Sequence, residues 1–551
     1  MNNAPDQRHP DTVLSDLHAC LVREVTTSVA PQAVFSASSI RDSPQKQPYW
    51  TKKSFQNHLA RTHPDTNIPD TAINVLWSCF CFYAYHPFPL PDASERKLEL
   101  PAFEQGLILL SFQGTRLLGT VNDDGHGHSW GWSNEPCNCM LRINRIFRGI
   151  SLIDDQSSSD PHGASYDTLI TDDVMQALLP IFPAHPKLFP SLNQLKPLAE
   201  HLKGRTDQYQ IKLNDLASLV CLIIRLRVHK STWGRELHYG YFGENSPETE
   251  ELATILARSF CHGHDEYLAP DSVLRALHIL PNLEQCFHQL WAVIFQPCTP
   301  TQIPNLESES TPDITLDGIL RAVSLFVPPF QAHERTELGR KVNLITFQKQ
   351  HDWIHSFSDT LDLSHILHQA FLDDPNRRAQ LVLFLGHQAQ DSKKVVVGAF
   401  FPGRTQTPAA EEGKQLEEVE NSRISLPQLL FQLQPSFSLF RWNGEANMSS
   451  SQLYDSAIGD VDHPNCIGDP KGSKVGVEID SATRQATFLG GTDTAICQTG
   501  GYDEVTRKYN GAEGINANQK ERKTKFTVTR IVVFDVEGGP NYDYHWGFGQ
   551  D

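Results

Sequence analysis

LVLFLG at 381–386 and VVVGAFFPG at 395–403 are the stretches that decide the fold of this chain. Both are short, apolar and rich in Val, Leu and Phe. They bracket a polar turn at Asp391, Ser392 and Lys393, a pattern that reads as a β-hairpin. Further along, Val475, Val477 and Ile479 alternate with Gly476 and Glu478, as a half-buried strand requires. The stretch 526–536 is expected to keep Phe526, Val528, Val532, Phe534 and Val536 on one face, interrupted only by Arg530. Two charged stretches, 403–423 and 506–524, lack apolar periodicity and read as insertions between strands.

Towards the N-terminus the period changes from two to that of a helix. Val13, Leu14, Leu17 and Leu21 recur at helical spacing, and Asp70 is placed to cap a helix with Ile73, Leu76, Trp77 and Phe80 on one face. Phe103, Leu107 and Leu110 repeat the pattern. A polar stretch at 154–167 reads as a linker, after which Thr171, Asp172 and Asp173 suit the positive end of a new helix. Ser246, Pro247 and Glu248 open another, with Leu252, Ile255, Leu256 and Phe260 sharing a face. Leu283, Phe287, Leu290, Trp291 and Ile294 form a further stripe. The acidic stretch 299–313 separates it from a last helix bearing Leu316, Ile319, Leu320 and Val323. Stripes of this kind are packing faces. The expectation is an α+β chain: a helical region at 1–150, a helical domain at 168–326, a strand-rich domain at 342–538 and a tail at 539–551.

Composition bounds the function. The 551 residues exceed one hydrophobic core, and a net charge of −18 gives no footprint for nucleic acid, whose phosphates need clustered cations. The first ten residues lack the basic start and apolar run of a signal peptide. The most apolar window, 216–224, is closed by Arg225 and Arg227 far short of the roughly 20 residues that span a bilayer. Eleven cysteines are spread along the chain, several inside apolar helical stretches (Cys79, Cys221, Cys286), which suits a reducing, cytoplasmic setting.

The C-terminal blocks resemble the TLDc family, known from oxidation-resistance proteins. In the family's order come a helical approach at 348–372, the paired strands LVLFLG and VVVGAFFPG, the Phe-rich LLFQLQPSFSLFRW at 429–442, GSKVGVEID at 472–480 and the closing strand FTVTRIVVFDV at 526–536. The likeness covers 342–538. It departs from the family at Val532, where a glutamate is common, and at Phe534, where tryptophan is usual. The resemblance implies a β-sandwich-like domain with flanking helices and no catalytic centre. It also implies a role in oxidative-stress resistance and protein contacts, with the vacuolar proton-pumping ATPase as partner, at the cytosolic face of the vacuole or lysosome. No loop has the D-x-[DN]-x-[DN]-G spacing of a calcium site.

Two clusters have ligand chemistry. DDGHGHSWGWSNEPCNC at 123–139 places His126 and His128 near Cys137 and Cys139, two imidazoles and two thiols, without the pair spacings of common zinc modules. CHGHDE supplies Cys261, His262, His264, Asp265 and Glu266 after a helix, where Gly263 suits a C-terminal cap. Both read first as loops, and neither is assigned a metal. No G-x-S-x-G elbow or phosphate-cradling G-x-x-x-x-G-K-[ST] loop is present. The aromatic tail residues Tyr542, Tyr544, Trp546 and Phe548 read as a mobile end, and the basic 520–525 as a solvated loop. The expectation is a non-catalytic adaptor with no cofactor. The alternatives are a metal-dependent enzyme on the His/Cys cluster, or a helical scaffold with another partner.

Overall fold

The computed structural model describes residues 9–25, 30–88, 97–118, 135–153, 164–181, 192–203, 209–230, 239–261, 266–268, 275–296, 314–327, 341–354, 361, 363, 366, 379–389, 391–401, 427–442, 465–469, 475–490, 502–506 and 523–541. The chain forms two compact units, one over Met1–Leu325 with Phe330–Asn343 and Pro540–Asp551, and one over Phe326–Pro329 with Leu344–Gly539. Helices fill the first and a large sheet the second, so the fold is α+β. The two helical segments separated in the sequence, 1–150 and 168–326, lie in one unit. Helices of the earlier segment pack directly on helices of the later one.

The helices of the first unit are α1 (Pro10–Glu24), α2 (Pro31–Ser38), α3 (Lys52–Thr62), α4 (Asp70–Tyr85), α5 (Leu100–Leu110), α6 (Phe112–Leu117) and α7 (Glu135–Ile150). They continue with α8 (Ala164–Leu178), α9 (Leu192–Leu202), α10 (Leu213–Arg225), α11 (Pro247–Arg258), α12 (Ala276–Ile279), α13 (Leu283–Ile294) and α14 (Ile314–Ser324). The hub is α4, which packs against α5, α7 and α10 and is buried nearly all round, as a helix without a polar face must be. Its approach to α7 is set at Gly149, where a Cβ would fall 2.9 Å from the Cys79 sulfur and 3.4 Å from Phe82. Phe55, Phe80, Phe103, Trp291 and Phe295 interlock beside it with centroids 5.3 to 6.4 Å apart. The start of α11 is the one read from sequence: Ser246 accepts from the Thr249 amide and Pro247 takes the first turn.

Three expectations for this unit are corrected. It is not wholly helical. The strands β1 (Leu152–Ile153), β2 (Tyr209–Lys212) and β5 (Tyr267–Leu268) form a small sheet, and β3 (Leu226–Lys230) pairs with β4 (Tyr239–Phe242) as a hairpin. Leu226, Arg227 and Val228 behind α10 extend through antiparallel pairing with Phe242, Tyr241 and Gly240. Secondly, Thr171–Asp173 does not begin a helix; it lies inside α8, where Asp173 is buried against cations of α7. Thirdly, Asp70 is the first residue of α4 instead of its cap, which is Pro69.

The second unit is a sheet of ten strands: β6 (Lys341–Ile354), β7 (Ala379–His387), β8 (Lys394–Phe401), β9 (Leu429–Gln434), β10 (Ser438–Trp442), β11 (Cys466–Asp469), β12 (Val475–Ile479), β13 (Gln485–Gly490), β14 (Tyr502–Glu504) and β15 (Lys523–Asn541). The order is β11-β12-β13-β15-β7-β8-β9-β10-β14, with β6 also on β15. The hairpin at Asp391–Lys393 joins β7 to β8 in antiparallel register. The ends of the sheet fold over one another: Phe440 of β10 meets Phe488 of β13 at 5.9 Å, and the Cβ position of Gly468 on β11 lies 2.6 Å from Leu430 of β9. One core therefore collects Val382, Phe384, Val397, Leu430, Val477, Phe488 and Ile531. The central strands are buried on their other face too, where Phe326 packs on Phe431.

Two expectations fail here. Residues 348–354 are strand instead of helix, because β6 is tied across to β15 by Phe347 on Phe534, Gln350 on Asp535 and Asp352 on Arg530. The single apolar face expected for 526–536 is broken by a bulge between Val528 and Arg530, which shifts the alternation by one residue. Phe526, Val528, Ile531 and Val533 face the shared core, and Val532 and Phe534 turn to the opposite side.

Candidate functional site

Of the residues with ligand chemistry in the sequence, His126 and His128 lie outside the described residues, as do His262, His264 and Asp265. Cys137 and Cys139 lie on α7, and Cys139 donates its thiol hydrogen to Glu284 of α13 at 3.4 Å. Cys261 is buried after the end of α11. Among the described residues no three His, Cys, Asp or Glu side chains gather as metal ligands. The tail aromatics and most of 403–423 and 506–524 also lie outside the described residues.

The densest polar cluster was not singled out in the sequence. In MLRINRIFRGI, Arg142, Arg145 and Arg148 recur every three residues along α7 and are all buried. Arg145 pairs through Nε with Asp173 and donates to Gln176 at 2.8 Å and to the Thr115 hydroxyl at 3.2 Å. Arg148 donates to the other Asp173 oxygen at 2.9 Å and lies over the Phe82 ring. Arg142 donates to Glu284 at 2.5 Å. Arg145, His86 and Arg148 hold the Asp173 carboxyl below its ordinary range against the opposing effect of burial. Burial drives His86, 3.9 Å from Asp173, down to about 3, so its ring is neutral. This cluster ties α4, α7, α8 and α13 together. Its central members Arg145 and Asp173 have no exposed side-chain surface for a substrate to reach, so its chemistry is that of a buried cross-link.

In the sheet unit a half-buried ion pair links β6 to β15. Arg530 donates to both oxygens of Asp352, at 2.9 and 2.7 Å, and Lys349 lies 3.2 Å from the same carboxylate. The Arg530 bonds, aided by Lys349, hold the Asp352 carboxyl below its ordinary value. Beside this bridge His351 stacks on Trp353 at 5.1 Å, and Ile354 is 74% exposed. A charge pair fixed between β6 and β15, with a partly covered Trp and an exposed Ile on β6, makes β6 the candidate contact surface.

No family model matches the chain, and no curated protein matches it. Among the described residues no helix is long and apolar enough to cross a membrane.

Proposed function

We propose that this chain is a non-catalytic adaptor or regulator whose sheet unit is a divergent TLDc domain, acting through protein contacts at β6. The observation that carries the reading is the sheet itself. The blocks at 381–386, 395–403, 429–442, 472–480 and 526–536, which carry the resemblance, are β7, β8, the β9–β10 pair, β12 and β15 of one folded sheet. The buried arginine–carboxylate cluster of the helical unit is an internal cross-link, and the mixed apolar and charged surface of β6 suits a protein partner. By the family resemblance the first partner is the vacuolar proton-pumping ATPase, the setting is the cytosolic face of the vacuole or lysosome, and the wider role is resistance to oxidative stress.

The test is titration of the full chain against assembled vacuolar ATPase, following binding and subunit release. Saturable binding that Ile354→Asp weakens supports the reading. No binding to ATPase shown to be active overturns the choice of partner.

A further inference from the structure

On the helical unit, three arginines converge where α10, the β3–β4 hairpin and α14 meet. Arg225 donates through Nε to the Gly243 carbonyl at 2.9 Å and through Nη2 to the Asn67 carbonyl at 3.0 Å, and its Nη1 is buried without an acceptor. Arg227 lies against the same glycine, with Nη2 3.3 Å from the position of a Gly243 Cβ. It donates through Nη1 to the Ile224 and Leu226 carbonyls and pairs through Nη2 with Asp317. Arg321, one turn beyond Asp317 on α14, reaches only to 3.8 Å of that carboxylate, outside hydrogen-bonding distance. Its guanidinium donates no hydrogen bond among the described residues.

Among the described residues, two guanidiniums thus share one carboxylate. The other groups facing them do not supply the missing charge. Cys286, from α13, has its thiol pushed up to about 12 by burial and stays neutral. Tyr241, opposite Arg227 in the hairpin, brings a phenol. Glu250 of α11 faces Arg225, is exposed, and is bonded to Asn245 at 2.6 Å. The Arg321 side chain is 33% exposed and that of Arg227 15%, so the site is partly desolvated yet open to a ligand. An excess cation with an unused planar fork of donors fits an oxyanion bearing several acceptor oxygens.

We propose that Arg321, with Arg227 anchored beside it by the Ile224 and Leu226 carbonyls, forms a binding site for a phosphoryl group. The group accepts from the Arg321 fork, while Asp317 competes with it for both arginines. The source is either free phosphate or the headgroup of an anionic lipid.

Full-length protein would be titrated with inorganic phosphate by calorimetry against chloride at matched ionic strength. In parallel it would be sedimented with phosphatidylcholine vesicles with and without phosphatidic acid. In whichever arm binds, Arg321→Gln is expected to weaken affinity at least about tenfold, Arg321→Lys to weaken it less, and Asp317→Asn to tighten it. Binding of phosphate alone identifies the free ion as the source, and binding of the acidic vesicles alone the headgroup. Folding of each variant is checked by its melting curve in phosphate-free buffer, and Arg321→Lys carries the comparison if Arg321→Gln melts early. No binding in either arm above the chloride or neutral-lipid control, or equal binding by the Arg321 variants, overturns the proposal.

Discussion

Acid should loosen the helical unit through its buried histidines, and His58 isolates the effect. Arg61 donates to His58 Nδ1 at 3.3 Å, so the ring's hydrogen is on Nε2, which bonds the Ile294 carbonyl at 2.9 Å. A second proton at Nδ1 would face a donor. Burial, with Arg61 and His63 adding to it, lowers His58 from 6.5 to about 4. Below pH 6.5 the unfolded chain therefore takes up a proton that the folded chain refuses. Stability is full above that pH and falls as pH drops towards about 4, the folded value. Integrated from pH 7.5 to pH 5, linkage gives a loss of about 2 kcal/mol for this ring. His86, lowered to about 3, adds about 2 kcal/mol more, and His63 shifts in the same direction. The variant His58→Gln keeps a donor for Ile294 and cannot titrate. Urea unfolding followed by far-ultraviolet circular dichroism at both pH values should show wild type losing about 2 kcal/mol more than the variant. Parallel losses in the two proteins would refute the neutral, buried ring.

Asp173→Asn leaves Arg145 and Arg148 buried with no carboxylate between them, and should cost about 3–5 kcal/mol in the same unfolding assay; a change below about 1 kcal/mol contradicts the cross-link. Gly398→Ala places a Cβ 2.2 Å from the Phe431 ring, which Phe326 backs at 4.9 Å, so a loss of about 1–3 kcal/mol is expected in thermal unfolding. Asp352→Asn removes the charge from a partly exposed bidentate hydrogen-bonded pair with Arg530 and should cost about 1 kcal/mol at neutral pH. Because the Asp352 carboxyl is depressed in the folded chain, that stabilisation is present above the ordinary value of 3.8 and is lost as pH falls below it, so wild type and variant should converge in acid.

What the sequence revealed, and what it hid, follows from the range of the interactions. The hairpin of β7 and β8, the capped start of α11 and the stripe on α13 rest on neighbours a few residues apart, so periodicity and turn chemistry disclose them. The strand β6 could not be read that way. QKQHDWI has no clean alternation, and its conformation is fixed by partners about 180 residues on, Asp535 and Arg530. The bulge in β15 is likewise invisible in FTVTRIVVFDV, where one unpaired residue exchanges the faces of everything after it. The buried cluster left a faint signal, arginine at every third position among the apolar residues of 141–150. That spacing announces a helical face but not whether it meets solvent or the Asp173 carboxylate. The His/Cys cluster shows the converse: Cys139 has ligand chemistry in the sequence, yet in the fold its partner is Glu284, 145 positions away.

The most direct test of the adaptor reading is hydrogen–deuterium exchange on the full chain, with and without saturating assembled vacuolar ATPase. The account predicts slowed exchange concentrated in β6 and the adjoining stretch of β15, with the helical unit unchanged. Protection confined to the helical unit, or an exchange pattern that the ATPase leaves untouched, would contradict it.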